Sequence, residues 1–163
     1  MSVRSDRLEF TVPGEPFVQP RGKPVFAGGD NSKRVRMVSA HGDHPVWQWR
    51  ARIIFEARQA MFTGKVETPI EGPVVLSVLF VTPFTGARKK KSPNPRRWHD
   101  ARKDLDNFLK PLKDALVEAG VMADDGQIVT YANVSKIRAA HGEQPHTRVR
   151  IEAAPAIIEE VWA

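Results

Sequence analysis

The acidic residues in the second half of the chain form the pattern with the clearest chemical meaning. Asp104 and Asp106 precede Lys110, and two further acids, Asp124 and Asp125, follow later in the chain. Two or three carboxylates gathered at one place provide the hard oxygen ligands that Mg²⁺ or Mn²⁺ prefers. Gathered carboxylates repel one another unless a cation lies between them. The pattern therefore predicts a divalent metal site, at which Lys110 can stabilise negative charge on a phosphate.

A strongly basic segment lies directly before the first of these acids. The range 86–103 contains eight basic residues and one acid, a net charge of +7, whereas the whole chain carries +6. The basic character is thus concentrated in one segment, as in a protein that binds a polyanion such as nucleic acid. The predicted DNA phosphate contacts are Arg21, Lys23, Arg88, Lys89, Lys90, Lys91, Arg96, Arg97, Arg102 and Lys103. The alternative is that these residues form only a solvated basic surface.

Length and composition limit the class of protein. With 163 residues, of which 41% are apolar and 27% charged, the chain fits one globular domain spanning residues 1–163. It contains no cysteine, so disulfides and thiolate metal ligands are excluded. No apolar run approaches the roughly 20 residues of a membrane span, and residues 1–6 lack the core of a signal peptide. We therefore expect a soluble cytoplasmic protein.

Hydrophobic periodicity predicts a mixed α/β fold, with a small sheet flanked by two main helices. Helices are predicted from Pro45 to about Phe62 and from Leu105 to Ala119, and Pro111 should kink the first turn of the second helix or delay its start. Pro93 and Pro95 indicate that the range 83–103 is an irregular loop. The predicted strands are 8–12, 73–82, 128–137 and 147–153, with shorter exposed ones near 25–26 and 34–39.

The predicted elements constrain how the acids can meet. Residues two apart point to opposite sides of a helix, so Asp104 is expected in extended conformation at the entry, while Asp106 and Lys110 share a face. If the strand after Asp125 pairs beside the strand that feeds the basic segment, Asp125 can return to the head of the second helix. Each acid also has a purely structural alternative. Asp104 or Asp106 could be a helix cap, and Asp106 could form only a surface ion pair with Lys110. Asp124 and Asp125 could be only turn residues.

Two motifs of these acids resemble a known family. The stretch Lys103–Leu116, which reads KDLDNFLKPLKDAL, and the turn Asp124–Ile128, which reads DDGQI, resemble the RusA family of Holliday-junction resolvases from bacteria and their phages. The segment Gln19–Pro24 is similar to the basic N-terminal segment of that family, and Lys136 falls on its downstream lysine. The resemblance implies the family's small mixed sheet flanked by helices.

The resemblance also implies an activity. It predicts a homodimer that binds four-way junction DNA and makes paired nicks with Mg²⁺, or with Mn²⁺, in DNA recombination and repair. The family's catalytic and metal-binding acids fall on Asp104, Asp106 and Asp125, and its essential lysine falls on Lys110. Lys136 joins the predicted DNA contacts. The alternative is a non-catalytic protein that recognises branched or duplex DNA through its basic loop.

A few other residues carry weaker hypotheses. His41 and His44 have a spacing that a metal pair could use, but no cysteine or third ligand lies near them in sequence. Phe26 and Trp98 lie near basic residues in predicted loops, and their rings are candidates for stacking on unpaired bases. Trp98 has the alternative role of anchoring its own loop.

Overall fold

The computed structural model describes most of the chain. The described residues are 7–20, 23–27, 34–38, 42–66, 68–85, 95–101 and 103–155, with 23–27 and 34–38 described by their backbone alone. Their secondary structure is β1 (Arg7–Pro13), β2 (Lys23–Ala27), β3 (Arg34–Val38), α1 (Pro45–Gly64), β4 (Val74–Thr82), β5 (Arg97–Trp98), α2 (Leu105–Ala119), one 3-10 turn (Asp125–Gln127), β6 (Ile128–Arg138) and β7 (His146–Ala153).

The strands form a five-stranded mixed sheet and a separate hairpin. The order of the large sheet is β1-β7-β4-β6-β5, and β4 pairs with β6 in parallel while its other neighbour, β7, runs antiparallel. β2 and β3 pair antiparallel to form the hairpin. The predicted α/β class, with two main helices and a small mixed sheet, is confirmed. The strand after Asp125, β6, pairs with β4, the strand before the basic segment, so the condition stated for the return of Asp125 is met.

The core lies between the helices and one face of the sheet. β4 is buried over almost its whole length, as expected for an apolar central strand. The ring of Phe80 on β4 contacts Trp49 of α1 and Phe108 of α2, with ring centroids 6.2 and 5.3 Å apart. Aromatic pairs at these distances add to the free energy gained by burial, so the three rings join both helices to the sheet.

The first helix follows its predicted face but begins with a different cap. Val46, Trp49, Ile53 and Ala57 are buried, in the spacing that predicted the helix. His44 is the N-cap, and its Nδ1 accepts a hydrogen bond of 3.1 Å from the backbone N–H of Val46. This use of the imidazole argues against the weak metal-pair hypothesis for His44, while His41 lies outside the described residues.

The prediction that Pro111 delays the second helix is wrong, because α2 is continuous from Leu105 to Ala119 and buries Pro111 inside it. Proline has no N–H to donate to the carbonyl of Asn107, four residues earlier. That carbonyl instead accepts a hydrogen bond of 2.9 Å from the backbone N–H of Gln19. The missing helical bond is thus replaced by one that attaches the N-terminal segment to the first turn of α2.

The described part of the basic segment contains one short regular element that the sequence did not predict. Arg97 and Trp98 form β5, which pairs antiparallel with Arg138 and Ile137 at the end of β6. Prolines Pro93 and Pro95 precede this strand and do not prevent it. No helix in the described part of the chain combines the length and the apolar character needed to cross a lipid bilayer.

Candidate functional site

The head of α2 carries Asp104 in the predicted extended conformation, with φ −64° and ψ 144°. Asp104 occupies the N-cap position, yet its carboxylate makes no capping hydrogen bond to the helix backbone. Its Oδ2 lies 3.4 Å from Nδ2 of Asn107, and its carbonyl accepts from the backbone N–H of Asn107 at 3.2 Å. The capping alternative therefore does not explain the acidic side chain at this position.

Asp106 and Lys110 lie on α2 four residues apart, and both side chains are exposed. Among the described residues, no ion pair joins them. The surface-pair alternative, worth a few tenths of a kcal/mol at most, therefore does not account for them. An acid and a lysine on one helical face, both open to solvent, remain accessible to a phosphate and its counter-ion.

Asp124 has the structural role that the turn alternative gave it. It is the N-cap of the 3-10 turn, and its Oδ1 accepts a hydrogen bond of 2.7 Å from the backbone N–H of Gly126. A Cβ added at Gly126 would lie 2.7 Å from the same Oδ1, so a larger residue there would displace the carboxylate of Asp124 from this hydrogen bond. The carboxylate of Asp124 is used to fold the turn, whereas the neighbouring Asp125 is not used in that way.

Gln127 fixes this acidic turn, residues Asp124–Gln127, to the rest of the molecule. Its Oε1 accepts from the backbone N–H groups of Ala123 at 2.7 Å and of Asp124 at 3.1 Å. Its Nε2 donates to the carbonyls of Ile70 at 3.0 Å and Gly72 at 2.7 Å. A primary amide has two donors and an acceptor oxygen with two lone pairs, so all four positions are used. The acidic turn is therefore held in one place.

Asp125 pairs with a lysine that the sequence analysis did not single out. Its Oδ2 lies 3.2 Å from Nζ of Lys113 on α2. Partial burial acts to lower the pKa of Lys113, but the hydrogen bond to Asp125 and the charges of Tyr131, Asp125 and Asp114 outweigh it and raise the pKa. Lys113 lies seven residues after Asp106, on the same helical face, and this spacing was the available clue.

The structure does not bring the three predicted metal ligands together within one chain. In the parts of the chain that the structure describes, no group of three or more acids or histidines lies close enough to hold a metal ion. The topology explains this, because α2 connects the parallel strands β4 and β6 and runs back between them. Asp104 precedes the helix, whereas the ion pair places Asp125 beside Lys113, nine residues or roughly 13 Å of helical rise from Asp104. Asp125 meets α2 at Lys113 and not at its head.

The segment that enters α2 is attached to β6 through Lys136. The ammonium group of Lys136 donates to the carbonyl of Ala101 at 3.1 Å and to the carbonyl of Lys103. The carbonyl of Lys136 in turn accepts from the backbone N–H of His99 at 3.2 Å. Lys136 is also one of the predicted DNA contacts, and in this structure its ammonium group is bonded to the backbone directly before Asp104.

His99 is a buried residue beside the site that the sequence analysis missed. Its side chain is 6% exposed, and Nδ1 lies 2.9 Å from Oγ1 of Thr82, whose hydroxyl donates to the carbonyl of Ile137. Because the single hydroxyl proton of Thr82 is used in that bond, its oxygen can only accept a hydrogen bond from His99, so Nδ1 of His99 carries a proton. Burial, followed by the charges of Arg138, Lys136 and Lys103, lowers the pKa of His99, so the ring is held neutral.

The predicted DNA contacts fall into different groups. Arg96, Arg97 and Lys103 are all exposed, but Arg96 is paired with Glu143, its Nε lying 3.0 and 3.1 Å from the two carboxylate oxygens. Trp98 is 74% exposed, so it does not anchor the loop, and the buried neighbour His99 does so. The side chain of Lys23 is not described, and the contacts that lie outside the described residues are Arg21, Arg88, Lys89, Lys90, Lys91 and Arg102.

Comparison with known proteins assigns the chain to a family. The family model described as Endodeoxyribonuclease RusA matches residues 13–152. No individual curated protein matches the chain at a significant level. The matched range begins at the last residue of β1 and contains both helices, β4, β5, β6, the acidic turn and all of β7 except its final residue. Because the match covers most of the chain, this protein belongs to the RusA family of endodeoxyribonucleases.

Proposed function

We propose that this endodeoxyribonuclease is a divalent-metal-dependent enzyme that resolves four-way DNA junctions by paired nicks in recombination and repair. The observation that carries the proposal is the head of α2, where Asp104, Asp106 and Lys110 are all exposed and the last two share one face. The family acts on junction DNA, which supports the choice of substrate. The exposed Arg97 and Lys103 lie next to these acids in sequence and suit contact with the DNA backbone.

The proposed cofactor is Mg²⁺, with Mn²⁺ as a substitute, and its proposed ligands are Asp104, Asp106 and Asp125. One chain does not form this ligand set in the residues described. Moving Asp125 within its own chain would break the hydrogen bonds of Gln127 that hold the acidic turn. We therefore assign the missing carboxylate to a second copy, so that Asp104 and Asp106 of one protomer meet Asp125 of its partner in a homodimer.

The proposed roles of the side chains follow from their chemistry. A divalent ion supplies Lewis acidity at phosphorus when it is bound. Lys110, exposed on the same face as Asp106, holds a non-bridging phosphate oxygen and stabilises the charge that develops there. A twofold homodimer presents two such faces to a junction that is itself nearly twofold symmetric, which suits paired nicks.

The test is a nicking assay on a synthetic four-way junction with labelled arms. The matched substrate is a linear duplex of the same sequence, and each is incubated with the protein in Mg²⁺, in Mn²⁺ and in a chelator. We expect symmetric nicks in the junction only when metal is present, and little cutting of the duplex. Equal cutting of duplex and junction would contradict the selectivity, and nicking that persists in the chelator would contradict the metal requirement.

A second candidate function is a non-catalytic protein that recognises branched or duplex DNA by charge. The lack of a three-carboxylate group within the described part of one chain favours it, since binding alone requires no metal. The same assay separates the two functions. Tight junction binding without nicks in any divalent metal would support the binding protein and exclude the nuclease.

A further inference from the structure

Lys136 is the residue that connects β6 to the segment before the catalytic helix. Its side chain bonds to the carbonyls of Ala101 and Lys103, and its own carbonyl accepts from His99. Lys136 is thus bonded to three residues of the segment that leads into α2, which we call the entry segment: His99, Ala101 and Lys103. Asp104 is the next residue after Lys103, so the direction of its backbone depends on this attachment.

The contacts occupy most of what the ammonium group can offer. A lysine ammonium has three donors, and two of them point to the carbonyls of Ala101 and Lys103. Ordering a lysine side chain costs conformational entropy. Hydrogen bonds from a charged donor are stronger than those between neutral groups, so two of them offset that cost. A lysine that turned away to hold a phosphate would leave both carbonyls without this donor.

The positive charge around Lys136 favours this orientation of its side chain. Lys136, Lys103 and Arg138 all act on His99 to lower its pKa, so like charges are gathered at this end of the sheet. Their mutual repulsion favours directing the ammonium of Lys136 toward carbonyl oxygens, which carry partial negative charge. The alkyl part of the side chain is only partly exposed, as expected for a lysine directed along the protein surface.

We infer that Lys136 is a positioning residue that fixes the backbone before Asp104, and that it does not contact DNA phosphate. Its catalytic consequence rests on the proposed function, because it assumes that Asp104 takes part in nicking. The fixed backbone itself does not depend on that assumption. The Lys136→Met variant keeps the length of the side chain and removes its donors, and the Lys103→Met variant removes an exposed ammonium from the same segment.

The first measurement is backbone amide hydrogen exchange of the metal-free protein. In Lys136→Met we expect exchange of the His99 amide, whose N–H donates to the carbonyl of Lys136, to rise about tenfold or more, because the segment before α2 opens more readily once hydrogen bonds from a charged donor are lost. Lys103→Met should leave this exchange unchanged. Unchanged exchange in Lys136→Met would overturn the inference.

The second measurement is junction affinity as a function of salt concentration, without metal. Each lost phosphate contact lowers the slope of log affinity against log salt by about one. We expect Lys136→Met to keep the wild-type slope and Lys103→Met to lose about one. A slope reduced by about one in Lys136→Met would show that Lys136 contacts phosphate and would overturn the inference. In nicking assays, kcat should fall while KM is unchanged.

A third measurement requires no variant and therefore does not depend on how well Lys136→Met folds. Mild reductive methylation of the wild-type protein, read by mass spectrometry, reports the availability of each ammonium group. We expect Lys136 to react more slowly than Lys103, both with and without junction DNA. A Lys136 that reacts as fast as Lys103 and becomes protected by DNA would overturn the inference. A wild-type protein that fails to nick would contradict the proposed function and would leave these measurements intact.

Discussion

The acids of this protein differ in the contacts that their carboxylates make within the fold. Asp124 caps the 3-10 turn, and Asp125 pairs with Lys113, while the carboxylate of Asp104 makes no capping bond. The turn role of Asp124 could be predicted from the sequence, because Asp followed two residues later by Gly is common in turns. The pair between Asp125 and Lys113 could not, since it depends on how the chain returns to α2 after the helix ends.

The two adjacent arginines of the basic segment provide a matched pair for testing DNA contact. Both side chains are exposed, but Arg96 is paired with Glu143, whereas no ion pair of Arg97 occurs among the described residues. We expect Arg97→Ala to weaken junction binding and to reduce the salt slope by about one, because a phosphate contact is lost. Arg96→Ala should leave the slope unchanged. Binding titrations at several salt concentrations measure both, and equal slopes in the two variants would contradict this assignment.

At the scale of the secondary-structure elements, β6 links the two halves of the candidate site. Gln127, directly before β6, fixes the acidic turn, and Lys136, near its end, fixes the entry to α2. β6 itself is paired in parallel with the buried central strand β4. Both acid-bearing segments are therefore attached to a strand that pairs with the buried centre of the sheet, which suits a site that requires fixed geometry.

Replacing Gln127 tests the fixed position of the acidic turn. In Gln127→Met the two backbone N–H groups and two carbonyls lose their partner, and we expect the free energy of unfolding to fall by about 2 kcal/mol. Urea unfolding measures this change. Gln59→Met, at an exposed position of α1, is the control and should change stability little. A Gln127→Met variant as stable as the wild type would show that the turn is held by other contacts.

The elements also show where sequence reasoning succeeds and where it stops. Amphipathic spacing predicted both helices and the buried strand β4, because burial on one face leaves a periodic pattern. The continuity of α2 through Pro111 was not predictable, since Gln19 supplies the missing donor from a distant part of the chain. β5 was missed because two residues carry too little pattern, and His99 was missed because a single buried histidine leaves no periodic trace.

The buried imidazole of His99 predicts how stability depends on pH. Burial lowers the pKa of His99 below the ordinary value of 6.5, so the unfolded chain takes up a proton at a higher pH than the folded protein. Stability should therefore be fully present above pH 6.5 and fall as the pH drops through the lowered pKa. We expect His99→Gln to lose less stability than the wild type between pH 7.5 and pH 5.5. Urea unfolding at both pH values measures the difference, and equal losses would contradict the role of His99.

At the scale of the whole molecule, the distribution of charge and the separation of the acids indicate how the protein works. The range 86–103 carries a net charge of +7 and the remainder of the chain is close to neutral, so one segment provides the attraction for DNA. The sequence predicted the family and the residue types of the site. It did not predict that Asp125 pairs with Lys113 of its own chain. The spacing of motifs in the sequence does not determine how far apart their side chains lie across a βαβ connection.

The most direct test of the proposed site uses two inactive variants, Asp104→Asn and Asp125→Asn, alone and mixed after refolding together. We expect each variant alone to bind junction DNA in Mg²⁺ without nicking it. In mixed dimers one of the two shared sites keeps both acids, so nicking should return to roughly a quarter of the wild-type rate, as single nicks. Asp43→Asn, far from these acids in sequence, serves as a control with full activity. Full nicking by both single variants would contradict the account, and a mixture that stays inactive would contradict the sharing of one site between two chains.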